Sequence, residues 1–332
     1  MTQRANIGHL PRLGAWLAGY AVIAPLAWLA RAPRRVQTAV VGAAVVAACV
    51  IAGPSSCRQD RLRIATFNIE NFGAPDKRTD DSRITELIAE LDADVIAVQE
   101  IQDPARFAVL VAGIATPGRR YQFVPSRCGG NSKWHDPMHV GFVLDVAHVR
   151  LMTTQEFPEL APTPDEGCGF QDRPGLLGEF IAAGRRFDLL VVHFAAKPEQ
   201  APKRRDQWDR ALAIVAGRRA AGVPVAIIGD VNSTGFLDDA QEERAYIRQR
   251  LAAARMTLPT EMIGCSEYFQ RDGRGPYRRS LLDHVALCDR FPIEPHAEVH
   301  GYCRELACPA HLDSLPRDFN TVSDHCPVTI GR

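Results

Sequence analysis

The tightest constraint on the fold is a repeated pattern, a short apolar run that ends abruptly in charged or amide side chains. Val95-Ile-Ala-Val98 runs straight into Gln99-Glu100. Asp188 to Val192 delivers His193, and Val225-Ala-Ile-Ile228 delivers Gly229-Asp230-Val231-Asn232. Leu281-Leu282 precedes Asp283-His284, and Ser323-Asp324-His325 stands before apolar Val328 and Ile330. Short continuous apolar runs are what strands buried on both faces require. A carboxylate at the end of such a strand is costly unless it is paired or holds a metal. A lone Asp usually caps a turn, and a lone His is usually a satisfied core residue. Six such positions together (Glu100, His193, Asp230, Asp283, Asp324, His325) point to one site, because α/β sites form where strand ends meet.

The first strand spans Arg61 to Asn68, alternating and rich in Ile, Thr and Phe, and it ends in Asn68-Ile-Glu70-Asn71-Phe72-Gly73. A helix over 82–91 is expected, capped by Asp81 or Ser82, with Ile84, Leu87, Ile88 and Leu91 on its apolar face. A second helix over about 204–220 places Trp208, Leu212 and Val215 on one face and stops at Gly222. Basic loops follow His193 (Lys197, Lys203, Arg204, Arg205) and precede Asp283 (Arg271, Arg274, Tyr277, Arg278, Arg279). They are either solvated or in contact with substrate phosphate.

The first 53 residues form a segment of a different kind. Two apolar stretches, 14–30 and 38–52, flank the basic connector Arg31-Ala-Pro-Arg34-Arg35. Each is near the short limit for crossing a bilayer. Two spans with a cytoplasmic connector would put everything after residue 53 outside the cytoplasm. The alternatives are an export signal with its apolar core at 38–48, a lipoprotein box at Val46-Ala47-Ala48-Cys49, or a buried helical hairpin. Residues 54–60 read as a linker, and 61–332 as the catalytic domain. The expected location is the cell envelope, anchored through 14–52 or secreted. No obligate protein partner is evident.

Charge follows the same division. Residues 1–60 hold six arginines and one acid, which leaves 33 bases and 38 acids beyond them. That balance argues against a purely electrostatic polyanion binder, and less against an enzyme that meets phosphate through a cation. Nine cysteines fit an oxidising compartment. Cys303 and Cys308 are close enough to close a small loop, while Cys288 and Cys326 lie in expected core strands as free, buried thiols. There is no C-x-x-C spacing, which argues against zinc.

These stretches resemble the endonuclease/exonuclease/phosphatase superfamily. The matching pieces are LRIATFNIENFG (62–73), DVIAVQEI (94–101), LLVVHF (189–194), VAIIGDVN (225–232), LLDHVAL (281–287) and SDHCPV (323–328). The first motif, and Asp172-Arg173-Pro174 before a strand at 177–182, look most like the deoxyribonuclease I branch. Three departures stand out. Val231 replaces the usual Phe, Gln102 stands where that branch places an Arg, and Gly129 to Asp145 carries Trp134, His135, Asp136 and His139 without the branch's substrate Tyr.

The resemblance implies a four-layer α/β sandwich of two packed mixed β-sheets flanked by helices. It implies hydrolysis of phosphate esters with Mg²⁺ or Mn²⁺, most plainly by a nuclease cleaving nucleic-acid phosphodiesters. A phosphatase or a sphingomyelinase-like phospholipid phosphodiesterase is the alternative. By the same resemblance Glu100 holds the cation, helped by Asn68 and Asp324. Asp230 or His325 takes a proton from water, and Asp283 orients His325. Asn232 and His193 donate to the phosphate, and Asn68 and Arg173 complete the substrate contacts.

Overall fold

The computed structural model describes residues 62–129, 138–161, 173–233, 241–270, 273 and 275–331. The expectations for residues 1–53, the linker, Asp172, Trp134, His135, Asp136, Arg271 and Arg274 lie outside the described residues. Among the described residues no helix is long and apolar enough to cross a membrane.

Strands β1 (Ile64–Phe72), β2 (Val95–Ile101), β3 (Tyr121–Pro125), β4 (His139–Asp145), β13 (Ala297–Val299) and β15 (Val328–Ile330) make one six-stranded sheet, ordered β13-β15-β1-β2-β4-β3. It is mixed, since β1 runs parallel to β2 and antiparallel to β15. The second sheet contains β5 (Val149–Phe157), β6 (Gly175–Ala182), β7 (Arg185–His193), β8 (Val225–Asp230), β9 (Met256–Thr257) and β12 (Asp283–Cys288). Its order is β5-β6-β7-β8-β12-β9, with β7 and β8 its parallel pair.

Alternation along each strand builds the layers. Ile64, Val95, Ala97 and Phe142 face Phe180, Leu189, Val191, Ile228 and Val285 in one core between the sheets. The opposite face of the first sheet, with Ala65, Phe67, Ile96 and Val98, packs on α1 (Asp81–Leu91) and α2 (Pro104–Ala112). Trp208, Leu212 and Val215 of α3 (Ala201–Ala220) cover the second sheet. Helix, sheet, sheet and helix are the four expected layers. The runs 95–98 and 225–228 are almost wholly buried because each lies between two covered faces.

Two local expectations change. The cap of α1 is Asp80, whose side chain accepts the Arg83 N–H, and this leaves Asp81 inside the first turn. Cys326 is bonded to Cys303, and Cys308 to Cys265, so neither the 303–308 loop nor a free Cys326 occurs. The short helix Gly301–Glu305 turns Cys303 toward the segment that follows His325. Cys288, inside β12, is buried and free as expected. Both disulfides belong to a small cluster with Tyr268, Tyr302, Leu312 and Phe319. That cluster stands beside a three-stranded sheet of β10 (Glu267–Phe269), β11 (Tyr277–Ser280) and β14 (His311–Leu312), ordered β10-β11-β14.

Candidate active site

The polar strand ends converge. Glu100 sits in left-handed backbone, with φ of 61°, at an irregularity in the β2–β4 ladder between Val98 and Ile101. A bulge re-aims a side chain, and a non-glycine residue held at positive φ costs about 1–3 kcal/mol. The outcome is a Glu100 carboxylate turned toward Asn68, which donates to it from Nδ2 at 3.0 Å. The backbone N–H of Asn71 binds its second oxygen at 3.1 Å.

Asn68 also donates from Nδ2 to Asp230 at 3.1 Å, while its Oδ1 accepts the Glu70 N–H at 2.9 Å. A backbone N–H only donates, so this bond orients the amide. Asn68 thus offers N–H groups to the site centre, while its oxygen accepts the Glu70 N–H.

Asp230 ends β8 opposite Asp283 of β12 and beside His193 of β7. The preceding Gly229 makes this approach possible. Its φ is 140°, and a Cβ there would lie 2.1 Å from the Val192 carbonyl oxygen. Asn232, again at positive φ, folds back over Asp230 and donates to it from its backbone N at 2.8 Å and from Nδ2 at 3.0 Å. Its Nδ2 also reaches the Phe194 carbonyl at 3.2 Å. In this arrangement Asn232 positions Asp230. His193 Nε2 lies 3.3 Å from Asp230, 3.5 Å from Glu100 and 3.2 Å from Nη1 of Arg173.

His325 closes the site from the other side. Ser323 anchors it, donating to the Asn68 carbonyl at 2.8 Å and accepting the His325 N–H at 3.0 Å. Nδ1 of His325 meets Asp283 at 2.8 Å. Ser266 in turn accepts the Leu282 and Asp283 N–H groups, each at 3.0 Å. With Nδ1 committed to Asp283, Nε2 faces the interior. There it meets Asp230 at 3.8 Å, Asp324 at 3.9 Å and Glu267 at 4.0 Å.

Electrostatics follow from burial and crowding. Burial opposes protonation of His325, but the Asp283 and Asp230 carboxylates outweigh it and hold its pKa well above the usual histidine range. Burial would raise Asp230, yet His325, His193 and the Asn232 N–H hold it well below the carboxylate range. Asp283 and Glu267 are raised by burial. Burial pushes Asp324 up to about 7 against the pull of His325, and Glu70 and Glu100 add repulsion. The site therefore carries more carboxylates than its own cations neutralise.

That imbalance tests the fit of a divalent cation. Glu100, His193 and Asp230 bring one ligand atom each within 4.8 Å of one another, and so do Glu267, Asp324 and His325. Buried Asp324 Oδ1 and Glu267 Oε2 have no hydrogen-bond partner. An oxygen-rich, anionic set with unpaired acceptors suits a hard cation such as Mg²⁺ or Mn²⁺. Asp324 groups with Glu267 and His325 rather than with Glu100.

The model of the Endonuclease/Exonuclease/phosphatase family matches residues 65–325. The chain belongs to this family. Mouse deoxyribonuclease-1-like 2 is 24% identical over 279 residues, which cover 81% of this chain and 91% of that protein. Among solved structures, D. rerio TDP2 complexed with a single-strand DNA product has a TM-score of 0.56 at 17% identity, covering 81% of this chain and 98% of that one. A mannosyl-6-phosphatase of Bacteroides thetaiotaomicron has a TM-score of 0.51 at 17% identity, covering 81% and 98%. At such identities the structures show the fold of the family, two packed mixed sheets flanked by helices.

Within this family member, every site residue expected from sequence lies at the convergence except Arg173, which reaches it through His193. The basic loop after His193 is different. Arg204 is fully buried and paired with Glu243 at 2.7 Å, so it ties α3 to the helix Gln241–Ala253 and does not face substrate. Sequence reasoning missed Glu267. It follows Ser266 in a three-residue strand with no apolar run before it, so it lacks the pattern that marks the others. Glu70 was quoted only as part of a motif. It bonds Lys77 at 2.8 Å and accepts the Asp324 N–H at 3.3 Å, which steadies the His325 turn.

Proposed function

We propose that the domain is a divalent-metal-dependent phosphodiesterase that cleaves nucleic acid. One observation carries the chemistry: Asp283 holds His325 at 2.8 Å, so that Nε2 faces the carboxylates of Asp230, Asp324 and Glu267. Glu100, beside Asp230, would hold the cation, which supplies charge neutralisation and polarisation of the phosphoryl group. His325 takes the proton of the attacking water at Nε2, and Asp283 fixes the ring and offsets its new charge. Asn68 and Asn232 hold Asp230 in place. Arg173 and His193 lie together where they can donate to phosphate oxygens, and His193 can return a proton to the leaving oxygen. Nucleic acid is the favoured substrate because the curated relative is named for deoxyribonuclease 1 and a fold neighbour was solved with a DNA product.

Incubation of the full chain with Mg²⁺ and supercoiled plasmid gives nicked and linear DNA, and with sphingomyelin gives no phosphocholine. Lipid turnover without plasmid cleavage would overturn the nuclease reading. We further infer that the domain works outside the reducing cytoplasm, because Cys303–Cys326 and Cys265–Cys308 brace the segments carrying His325 and Glu267. A reporter active only after export, fused to the C-terminus, is expected to be active in a bacterial host, and a silent fusion would defeat this.

A further inference from the structure

Glu267 adds to the acidic character of the site, yet no step of the chemistry has been given to it. It is 4% exposed, and its Oε2 has no hydrogen-bond partner. It forms an isolated antiparallel bridge with His325, so the two side chains leave their backbones on the same face. The bridge is fixed twice. Ser266, just before Glu267, holds the backbone of Asp283, and its carbonyl accepts the Cys326 N–H at 2.7 Å. Nothing in this arrangement turns the carboxyl away from Nε2, and its nearer oxygen stands 4.0 Å from that nitrogen.

That distance limits what can occupy the gap. Two donors on adjacent corners of an octahedral Mg²⁺, with bonds of about 2.1 Å, lie about 3.0 Å apart. Two acceptors that share one water, with bonds of about 2.8 Å and an angle near the tetrahedral value, lie about 4.5 Å apart. The observed 4.0 Å is too long for adjacent corners of one cation and near the span of a shared water; opposite corners, about 4.2 Å apart, are told from the water by the Mg²⁺ dependence measured below. We propose that Glu267 is a further catalytic residue, the second acceptor for the attacking water, which it holds against His325 Nε2. The inference rests on the hydrolytic reading above. One O–H of the water points to Nε2 and the other to Glu267, which turns a lone pair toward phosphorus. On attack the oxygen bonds to phosphorus, the first proton moves to Nε2, and the ester P–O bond breaks. The second proton stays on the oxygen and leaves with the phosphate product. Orientation of this kind lowers the barrier by removing freedom from the nucleophile before reaction.

The test uses the full chain, Mg²⁺ and bis-p-nitrophenyl phosphate, a diester that reports hydrolysis whatever the natural substrate. Glu267→Ala is expected to lower kcat by about tenfold to a hundredfold with KM within twofold. Glu267→Gln, which keeps an acceptor oxygen, is expected to recover at least fivefold of that loss. The Mg²⁺ concentration at half-maximal rate stays that of the unaltered protein in both variants. Three results would overturn the assignment: a kcat for Glu267→Ala within threefold of the unaltered protein, a Gln variant as slow as Ala with a raised Mg²⁺ requirement (a metal ligand), or losses that follow KM or a fall in Tm. A protein that hydrolyses this diester but neither DNA nor lipid removes the substrate reading and leaves Glu267 in place. A protein that hydrolyses no diester removes both.

Discussion

His325→Ala is expected to lower kcat/KM for plasmid cleavage by about ten-thousand-fold. The size follows from what is lost together. The imidazole is at once the proton acceptor, the partner of Asp283 and the group around which Asp230, Asp324 and Glu267 stand. Removing it also strips the main counter-charge from those carboxylates, so no neighbour can substitute. Asp283→Asn separates the two halves of this effect. Burial opposes charging of His325, and the carboxylates of Asp283 and Asp230 outweigh it. The base is the neutral imidazole, so activity falls as pH drops through that raised pKa. With Asn at 283 the limb moves to lower pH and the plateau also falls, because the ring loses its orienting partner. Rate–pH profiles of the two proteins under saturating Mg²⁺ measure this. An unshifted limb would mean that another group titrates.

Glu100→Gln is the second large effect. Loss of the cation's contribution to the transition state is worth several kcal/mol, which corresponds to about a thousandfold or more in rate. The variant fits the same backbone and keeps an acceptor for the Asn71 N–H, while its NH2 replaces the oxygen that accepted from Asn68. It also removes one charge from a crowded, partly buried acidic set, so Tm holds or rises. Initial rates across a Mg²⁺ series, with calorimetric titration of Mg²⁺ into each protein, give the measurement. Retained full activity at the same Mg²⁺ concentration would remove Glu100 from the metal site. A lost rate with unchanged Mg²⁺ binding would move its role to the phosphate.

Legibility of the site in the sequence depended on strand ends. Glu100, His193, Asp230 and Asp283 could be found because each interrupts an apolar run, and polar atoms at the end of a buried strand need a reason to be there. Glu267 could not be found this way, because β10 is three residues long and is flanked by residues that give no periodic signal. The role of Arg204 was misread for a related reason. A basic residue in a loop-rich segment looks solvent-facing until a partner such as Glu243, 39 residues away, is brought to it. Pairing of the cysteines was equally hidden. Cys303 and Cys308 are neighbours in the chain, but the helix at 301–305 points Cys303 at Cys326.

By itself the sequence determined the two buried sheets, the family and most of the acid, amide and imidazole groups. Apolar periodicity and interruptions of it are local properties, written residue by residue. Tertiary structure alone decided which groups meet. It set Glu100 on a bulge, oriented the Asn68 amide through the Glu70 N–H, folded Asn232 onto Asp230 and brought Glu267 across from His325. Each of those depends on the approach of segments far apart in the chain, and on which hydrogen-bond partner is left over once the others are satisfied.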